Sequence, residues 1–160
     1  MTELDRVLVD TCVVIDLLVD DTVEDRANRA GFLLDGHGEK YEVVLPAIVM
    51  AEIAGCPSLR DEELDADERA RRLSEARAWL AAAGFVLAEV SASLAKRSAD
   101  VAFEHMLKGP DAMVLATALA FGCKTLFTRD QQLIQRGEKA LGVQIVEPPQ
   151  LPEPNTLFPA

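Results

Sequence analysis

The sequence predicts an α/β protein in three layers, with helices on both faces of a central parallel sheet. Five short runs with strand character are separated by helical patterns, at 7–9, 43–45, 85–87, 125–127 and 143–146. The first four runs show no alternation of apolar and polar residues, which is typical of strands buried on both faces. The long stretches between the runs favour parallel pairing, because parallel neighbours need a crossover connection.

Helix signals fill the intervals between the strands. Asp21 and Glu24 form a capping box, which predicts a helix over 23–34 that the glycines after it end. Pro46 suits the first turn of a second helix, predicted over 47–54. Both helices therefore lie on crossovers between predicted strands.

Three further helices are predicted in the second half of the chain. An acidic run leads into a long amphipathic helix that Gly84 ends. Ser91 is expected to cap the next helix, over 92–106. Pro110 opens a helix over 111–121 that is apolar on all sides. A helix of that composition is expected to be buried.

Length and composition indicate a single domain. The chain has 160 residues, of which 49% are hydrophobic, enough for one continuous core. We predict a domain over 1–147 and a tail over 148–160, which holds five of the eight prolines. Without a long apolar run or a basic leader, we expect a cytoplasmic protein without a membrane contact. The three cysteines are odd in number and lie far apart, so we expect reduced core residues.

The charge balance limits the choice of partners. With 27 acidic and 16 basic residues the net charge is −11, which argues against a non-specific binder of polyanions. Two arrangements keep nucleic acid binding open. The acids concentrate away from the site, as the run over 61–68 suggests, or the site is itself acidic and attracts phosphate through bound cations.

Four carboxylates occupy positions where such a fold would bring them together. Asp10 follows the first strand and Asp130 the fourth, while Glu52 lies in the helix after the second strand and Asp111 begins the apolar helix. Ligands of open parallel sheets bind beyond the carboxyl ends of the strands, where the strand order reverses. If the order is 3-2-1-4-5, Asp10 and Asp130 flank one crevice at that reversal. Asp111 and Glu52 would then approach from adjoining helices.

Each of these acids also has an ordinary structural explanation. Asp10, Asp111 and Asp130 would serve as helix caps or turn residues. Glu52 would be a solvated helix residue, although its neighbours Ile48, Val49, Met50 and Ile53 are apolar. Four acids with unrelated structural roles would meet at one end of the sheet only by coincidence. Their placement therefore favours a functional cluster.

A cluster of carboxylates needs a counter-charge. Carboxylates that share a pocket repel one another, and hard divalent cations compensate for that repulsion. Oxygen ligands suit Mg²⁺ or Mn²⁺ rather than Zn²⁺, and His37 and His105 have no ligand spacing with each other or with a cysteine. The residues thus favour a site that activates water against a phosphodiester without a nucleophilic side chain.

Four sequence blocks carry a family resemblance. VDTCVVIDLL, AEI, PDAMVLATALAFG and LFTRD together resemble the PIN domain family, and in particular the VapC-like toxins of bacterial and archaeal toxin–antitoxin pairs. The resemblance spans residues 6–146 in the family's order and spacing. Its last block is the most specific, because an Asp that opens an Ala-rich helix is followed there by a short strand and Thr-x-Asp.

The resemblance implies a fold, an activity and partners. It implies the strand order 3-2-1-4-5 and endonucleolytic cleavage of RNA that depends on Mg²⁺ or Mn²⁺. It also implies a homodimer and a protein antitoxin whose C-terminal segment lies in a groove made by the early helices. The implied catalytic residues and metal ligands are Asp10, Glu52, Asp111 and Asp130, with the hydroxyls of Thr128 and Thr11 in support.

Several residues around the motifs stay open. Cys12 stands where relatives usually have Ser or Asn, which puts a supporting hydrogen bond in doubt. Asp16, an acid among apolar residues, is a possible fifth member of the cluster. Arg129, Lys108 and Lys124 lie beside motif residues and are candidates for contact with the RNA backbone, or else solvated surface residues.

Three alternatives are kept beside the metal-dependent ribonuclease toxin. The first is an inactive PIN fold that serves as a binding module, and the second is a stand-alone PIN nuclease without an antitoxin. The third is a receiver-like or phosphatase-like domain, which also places an Asp after its first strand. The chain lacks the D-x-D-x-T pattern of such phosphatases and the lysine that a receiver has after a late strand.

Overall fold

A computed structural model of the chain describes residues 3–19 and 24–152. In this part of the chain one sheet of five parallel strands has the order β3-β2-β1-β4-β5. The predicted strand order and the five predicted strand positions are confirmed. The strands are β1 (Arg6–Val9), β2 (Glu42–Pro46), β3 (Val86–Ala88), β4 (Thr125–Phe127) and β5 (Gln144–Val146).

Helices connect the strands. None of those described is both long and apolar enough to cross a membrane. The described residues form α1 (Thr11–Leu18), α2 (Glu24–Leu34), α3 (Val49–Ala54), α4 (Ala66–Ala83), α5 (Ala92–His105), α6 (Gly109–Ala120) and α7 (Gln131–Gly137).

The helices form one layer on each face of the sheet, and a separate hydrophobic core lies on each side. Leu8 points to a core shared with α5, α6 and α7. Its neighbours Val7 and Val9 point to the opposite core, which is shared with α1, α2, α3 and α4. Successive side chains of a strand point to opposite faces, so a strand buried on both faces is apolar at every position. The predicted three-layer sandwich is confirmed.

The second predicted helix begins later than the sequence indicated. The prediction placed it over 47–54 with Pro46 in its first turn, whereas α3 begins at Val49 and Pro46 is the last residue of β2. The Ala47 amide still donates to the carbonyl of Ala88 on β3, at 2.9 Å. Strand pairing therefore extends past the proline and holds the chain extended for longer than local preference suggests.

Two helices were not predicted. No helix is predicted over 11–18 or 131–137, where the structure has α1 and α7. Both are short, with 8 and 7 residues. Isolated helices of this length are marginal in water, and α1 is rich in β-branched residues. Packing against the sheet therefore decides their conformation.

Most other helix ends agree with the predictions. Gly84 ends α4 with a left-handed backbone, φ 70°, which glycine adopts without steric cost. The Ser91 hydroxyl caps α5 by accepting from the amide of Leu94, at 3.1 Å. The helix that Pro110 was expected to open begins one residue earlier, at Gly109. Asp21, half of the predicted capping box, lies outside the described residues.

The start of the predicted tail contacts α2. The Arg29 guanidinium donates from Nε to the carbonyl of Pro149, at 3.2 Å, and from Nη2 to the carbonyl of Pro148. Arg29 also lies 3.8 Å from a carboxylate oxygen of Glu147. Residues 148–152 thus follow the surface of the domain, and the rest of the predicted tail, 153–160, lies outside the described residues.

Candidate active site

The site lies at the carboxyl ends of β1 and β4, the two strands at which the order of the sheet reverses. Val9 pairs with Phe127 in the parallel register, and the Asp10 amide continues the pairing by donating to the Phe127 carbonyl at 2.9 Å. Asp130 follows β4 by three residues. Both acids therefore emerge at the same edge of the sheet, where ligands of such folds bind.

Asp10 is held by hydrogen bonds to both of its carboxylate oxygens. Oδ1 accepts from the Thr11 amide at 2.7 Å, as expected of a residue that caps α1. Oδ2 accepts from the Thr128 hydroxyl at 2.7 Å and from the Cys12 thiol at 3.5 Å. The side chain is thus fixed from its own helix and from the end of β4.

Thr128 connects Asp10 with Asp130. Its fully buried hydroxyl donates to Asp10 and accepts from the backbone amide of Asp130, at 3.0 Å. The Asp130 carboxylate in turn caps α7, since Oδ1 accepts from the amides of Gln132 and Leu133 at 2.7 and 3.1 Å. One buried threonine therefore links the two strand ends that carry acids.

Glu52 and Asp111 approach the same edge from the two helical layers. Glu52 lies on α3, and its Oε2 accepts a short hydrogen bond from the Thr11 hydroxyl, next to Asp10. Asp111 lies in the first turn of α6, on the other side of the sheet. The charge of Asp111 raises the pKa of Asp10, and the charges of Asp130 and Glu52 raise the pKa of Asp111. The structure thus brings Asp111 within electrostatic reach of the other three predicted acids.

The electrostatics of the cluster disfavour the charged forms of two acids. Burial raises the pKa of Asp10, and the charge of Asp111 adds to the rise, against the hydrogen bonds that stabilise the carboxylate. Burial also raises the pKa of Asp111, followed by repulsion from Asp130 and Glu52. Desolvation and like charges act in the same direction on a carboxyl group. The site therefore favours a positive counter-charge.

Two acids are structural caps as well as members of the cluster. Asp10 caps α1 and Asp130 caps α7, as the ordinary structural interpretation predicts. Asp111 does not cap its helix, because the N-cap position of α6 belongs to Lys108. It lies in the first helical turn, where the helix dipole favours a negative charge. Capping and clustering are compatible, since each cap leaves the carboxylate at the edge of the sheet.

The four acids do not already form a coordination shell. Across residues 3–19 and 24–152, no group of three or more His, Cys, Asp or Glu side chains is arranged to hold a metal ion. Repulsion between neighbouring carboxylates separates them unless a cation is shared. Several of their oxygens also face protein donors, as Asp10 does towards Thr11 and Thr128.

The predicted cationic residues occupy three different environments. Lys108 is exposed beside the site, and its charge acts on Asp111. Arg129 pairs with the buried carboxylate of Asp16, with 2.5 Å between Nη2 and Oδ1. Lys124 precedes β4, so it lies at the opposite end of the parallel strands from the acids.

Cys12 differs from the other two cysteines. All three are free, but only Cys56 and Cys123 are buried in the way the sequence predicted. Cys12 is half-buried beside Asp10 and Thr128, and its thiol also accepts from the Arg129 amide at 3.4 Å. Burial and the charge of Asp10 raise the pKa of the Cys12 thiol to about 12. The thiol therefore stays protonated and can donate to Asp10.

One cation near the site was missed by sequence reasoning. Arg136 lies in the last turn of α7 and donates from Nη1 to the carbonyl of Met106. Its positive charge lowers the pKa of Asp111, against the larger effect of burial. Its position depends on α7, which was not predicted. The one available signal was a basic residue six positions after Asp130, which alone indicates nothing about the site.

The comparison with protein families identifies the class. The PIN domain model matches residues 7–139, and the chain belongs to the PIN domain family. The matched segment includes all four acids. The sequence matches no curated protein.

Several solved structures have a similar fold. A toxin–antitoxin complex from Klebsiella pneumoniae aligns with a TM-score of 0.64 and 23% identity, over 91% of this chain and 99% of that one. A FitAB structure bound to a DNA fragment aligns with a TM-score of 0.67 and 20% identity, over 91% and 97%. The VapC20 toxin of Mycobacterium tuberculosis, described as cleaving the sarcin–ricin loop, aligns with a TM-score of 0.63 and 18% identity, over 82% of this chain and 95% of that one. At these identities the likeness establishes the fold.

Proposed function

We propose that this protein is an endoribonuclease that depends on a divalent metal and acts as the toxin of a toxin–antitoxin pair. The observation that carries the proposal is the meeting of Asp10, Glu52, Asp111 and Asp130 at the strand-order reversal of a PIN fold. These acids come from four separate elements. Local structure alone does not require that they meet.

The residues present fit Mg²⁺ or Mn²⁺. The donors are carboxylate oxygens. Burial first, and then repulsion from neighbouring carboxylates, raises the pKa values of Asp10 and Asp111, and a bound cation would offset both effects. When bound, such ions activate water and stabilise the charge that develops on a phosphodiester. We propose all four acids as the ligands.

The remaining residues of the site hold the acids and attract RNA. The Thr11 hydroxyl positions Glu52, and the Thr128 hydroxyl positions Asp10. For the phosphate backbone we propose Lys108, which is exposed, in preference to Arg129, whose guanidinium pairs with Asp16. Contact between Arg129 and RNA would require that pair to open.

The acidic composition is compatible with an RNA substrate. In the run over 61–68, the Asp65 side chain caps α4 by accepting from the Glu68 amide at 2.7 Å. The Glu68 carboxylate pairs with Arg71 and Arg72, both at 2.8 Å. This run therefore serves the start of α4, a helix that carries none of the four acids of the cluster. The negative charge at the site itself is the part that cations would neutralise.

A groove between α1, α3 and α4 supports a protein partner. It encloses about 750 Å³, and apolar side chains of all three helices line it, among them Leu18, Ile53 and Trp79. These are early helices, where the family resemblance places the antitoxin segment. We propose that the groove receives an antitoxin segment with apolar side chains. A small protein encoded beside this chain should therefore co-purify with it and suppress its activity.

We also propose a homodimer. Large apolar side chains are exposed at Phe103, Met106 and Leu141, with 87%, 74% and 92% of their surface accessible. Light scattering of the purified chain tests the oligomeric state. A monomer at micromolar concentration would remove this part of the proposal.

The decisive experiment is an RNA cleavage assay with added Mg²⁺ or Mn²⁺ and a chelator control. The parent chain should cut RNA only with the ion, and Asp111→Asn should lower the rate at least about 100-fold, since it removes a ligand. Asp100→Asn, a change of an exposed acid on α5, is the matched control and should leave the rate unchanged. Binding without cleavage would favour the inactive binding module, and cleavage without a partner would favour the stand-alone nuclease.

A further inference from the structure

An ion pair between the buried Asp16 and the half-buried Arg129 joins α1 to the segment between β4 and α7. Only 4% of the Asp16 surface is accessible, and its Oδ1 accepts from Nη2 of Arg129 at 2.5 Å. Nε of Arg129 lies 2.5 Å from Oδ2. Its N–H is not aligned with that oxygen, so Nε makes no hydrogen bond within the described part of the chain. One hydrogen bond and the attraction of two charges therefore hold the pair.

Arg129 makes two further contacts with α1. Its amide donates to the Cys12 thiol at 3.4 Å, and Nη2 donates to the Cys12 carbonyl at 3.3 Å. Arg129 lies directly between Thr128, which binds Asp10, and Asp130, which caps α7. A single residue thus fastens the β4–α7 segment to the first turns of α1.

The free-energy cost of burying charges indicates that the pair serves to fix the relative position of two segments rather than to stabilise the fold. Removing the Asp16 carboxylate and most of the Arg129 side chain from water is expensive, and apolar residues of similar volume are often at least as stabilising as a buried ion pair. Both members lie on segments that carry acids of the site. Asp16 belongs to α1, which Asp10 caps, and Arg129 adjoins Asp130.

We propose that Asp16 and Arg129 are positioning residues of the carboxylate cluster. By fixing the β4–α7 segment against α1, the pair sets the relative position of Asp10 and Asp130, on which sharing of a cation depends. The consequence for metal binding and cleavage rests on the proposed function. The consequence for the position of the segment does not.

The test uses a double variant that removes the pair and retains the volume. Asp16→Leu with Arg129→Met replaces both charges by apolar side chains, which a buried site of this kind commonly accommodates. The matched control is Arg6→Met with Glu42→Leu, which removes a 2.7 Å ion pair between β1 and β2. That pair lies at the amino ends of these strands, away from the cluster.

The first measurement needs no metal. Hydrogen exchange is followed at the amides of Gln132 and Leu133, which donate to Asp130. These amides should exchange at least about tenfold faster in the double variant, because the segment loses its anchor. The amide of Glu68, which donates to Asp65, serves as internal reference and should not change.

The second measurement uses Mn²⁺ alone and then RNA. The Mn²⁺ affinity of the double variant should fall about 10- to 100-fold, as happens when partners of metal ligands are removed. At saturating Mn²⁺ kcat should fall, with little change in KM for RNA. Arg129→Lys keeps the charge but loses the planar guanidinium, so it should give an intermediate result in both measurements.

Three results decide the proposal. Parent-like exchange and Mn²⁺ affinity in the double variant would overturn it, because the pair would then be replaceable packing. If the double variant does not fold, Arg129→Lys decides by the same criteria. If the parent chain neither binds Mn²⁺ nor cuts RNA, the proposed function fails, while the exchange rates still decide whether the pair positions the segment.

Discussion

The Thr128 hydroxyl donates a hydrogen bond to Oδ2 of Asp10 across 2.7 Å, and this bond joins the ends of β4 and β1. The same hydroxyl accepts from the amide of Asp130, so neither acid can move without disturbing the threonine. The Asp10 carboxylate is thereby fixed relative to the backbone of Asp130. Preorganisation of this kind lowers the cost of forming a site.

Replacing Thr128 by valine should destabilise the fold. The change leaves the half-buried Asp130 amide without its acceptor and Asp10 without the Thr128 donor, at an expected cost of about 1–3 kcal/mol. Urea unfolding measures the difference in the free energy of unfolding. Thr117→Val is the control, because the hydroxyl of the fully buried Thr117 donates to the Met113 carbonyl of its own helix. Equal costs at the two positions would contradict a special role for Thr128.

Divalent ions should stabilise the folded chain. If the acids bind Mn²⁺, an ion concentration one hundred times Kd should add about 2.7 kcal/mol to the free energy of unfolding. For a chain of this size Tm would rise by about 5–10 °C. Thermal unfolding with and without a chelator measures the shift. Asp10→Asn should abolish it, while Glu62→Gln, at an exposed position, should retain it. If the Tm of the parent chain did not change with Mn²⁺, the result would argue against the metal site.

The raised pKa values predict how stability depends on pH without metal. The pKa of Asp111 is above 3.8 in the folded chain, which therefore binds the proton more tightly than the unfolded chain. The resulting penalty is absent below pH 3.8 and grows as pH rises through the folded pKa. Asp111→Asn should therefore be more stable than the parent at pH 7, with a gain that disappears towards pH 4.

Urea unfolding in chelator at several pH values measures this gain, and Glu68 supplies a control of opposite sign. Its pairing with Arg71 and Arg72 lowers the pKa of Glu68 to about 2. The stability from that pairing is fully present above pH 4.5 and is lost as the pH falls towards about 2. Glu68→Gln should thus be less stable than the parent at neutral pH. A gain for Asp111→Asn that does not vary with pH would show that relief of charge is not its cause.

Cys12→Ser should preserve cleavage. The Cys12 thiol, with a pKa of about 12, is protonated at neutral pH and acts as a donor to Asp10. A serine hydroxyl can make the same bond, so kcat/KM should stay within about threefold, equivalent to less than about 1 kcal/mol. Cys12→Val, which removes the donor and keeps the volume, provides the comparison. If serine abolished cleavage, the thiol would have a role beyond this hydrogen bond.

Local patterns were sufficient for the strands and the long helices. The apolar runs located five strands, and residues such as Ser91 and Gly84 located helix ends, because capping and chain reversal depend on a few neighbouring residues. The same patterns did not predict α1 and α7. Those helices depend on docking against the sheet, which no local preference records.

The sequence by itself determined which residue types stand at the ends of the strands: an Asp after β1, an Asp after β4 and two further acids at helix positions. Only the tertiary structure decided which side chains contact one another. It placed Thr128 between Asp10 and Asp130, paired Arg129 with Asp16, and put Lys124 at the opposite end of the strands. Contacts between residues more than a hundred positions apart are set by strand order and helix packing, and these depend on the burial of the whole core.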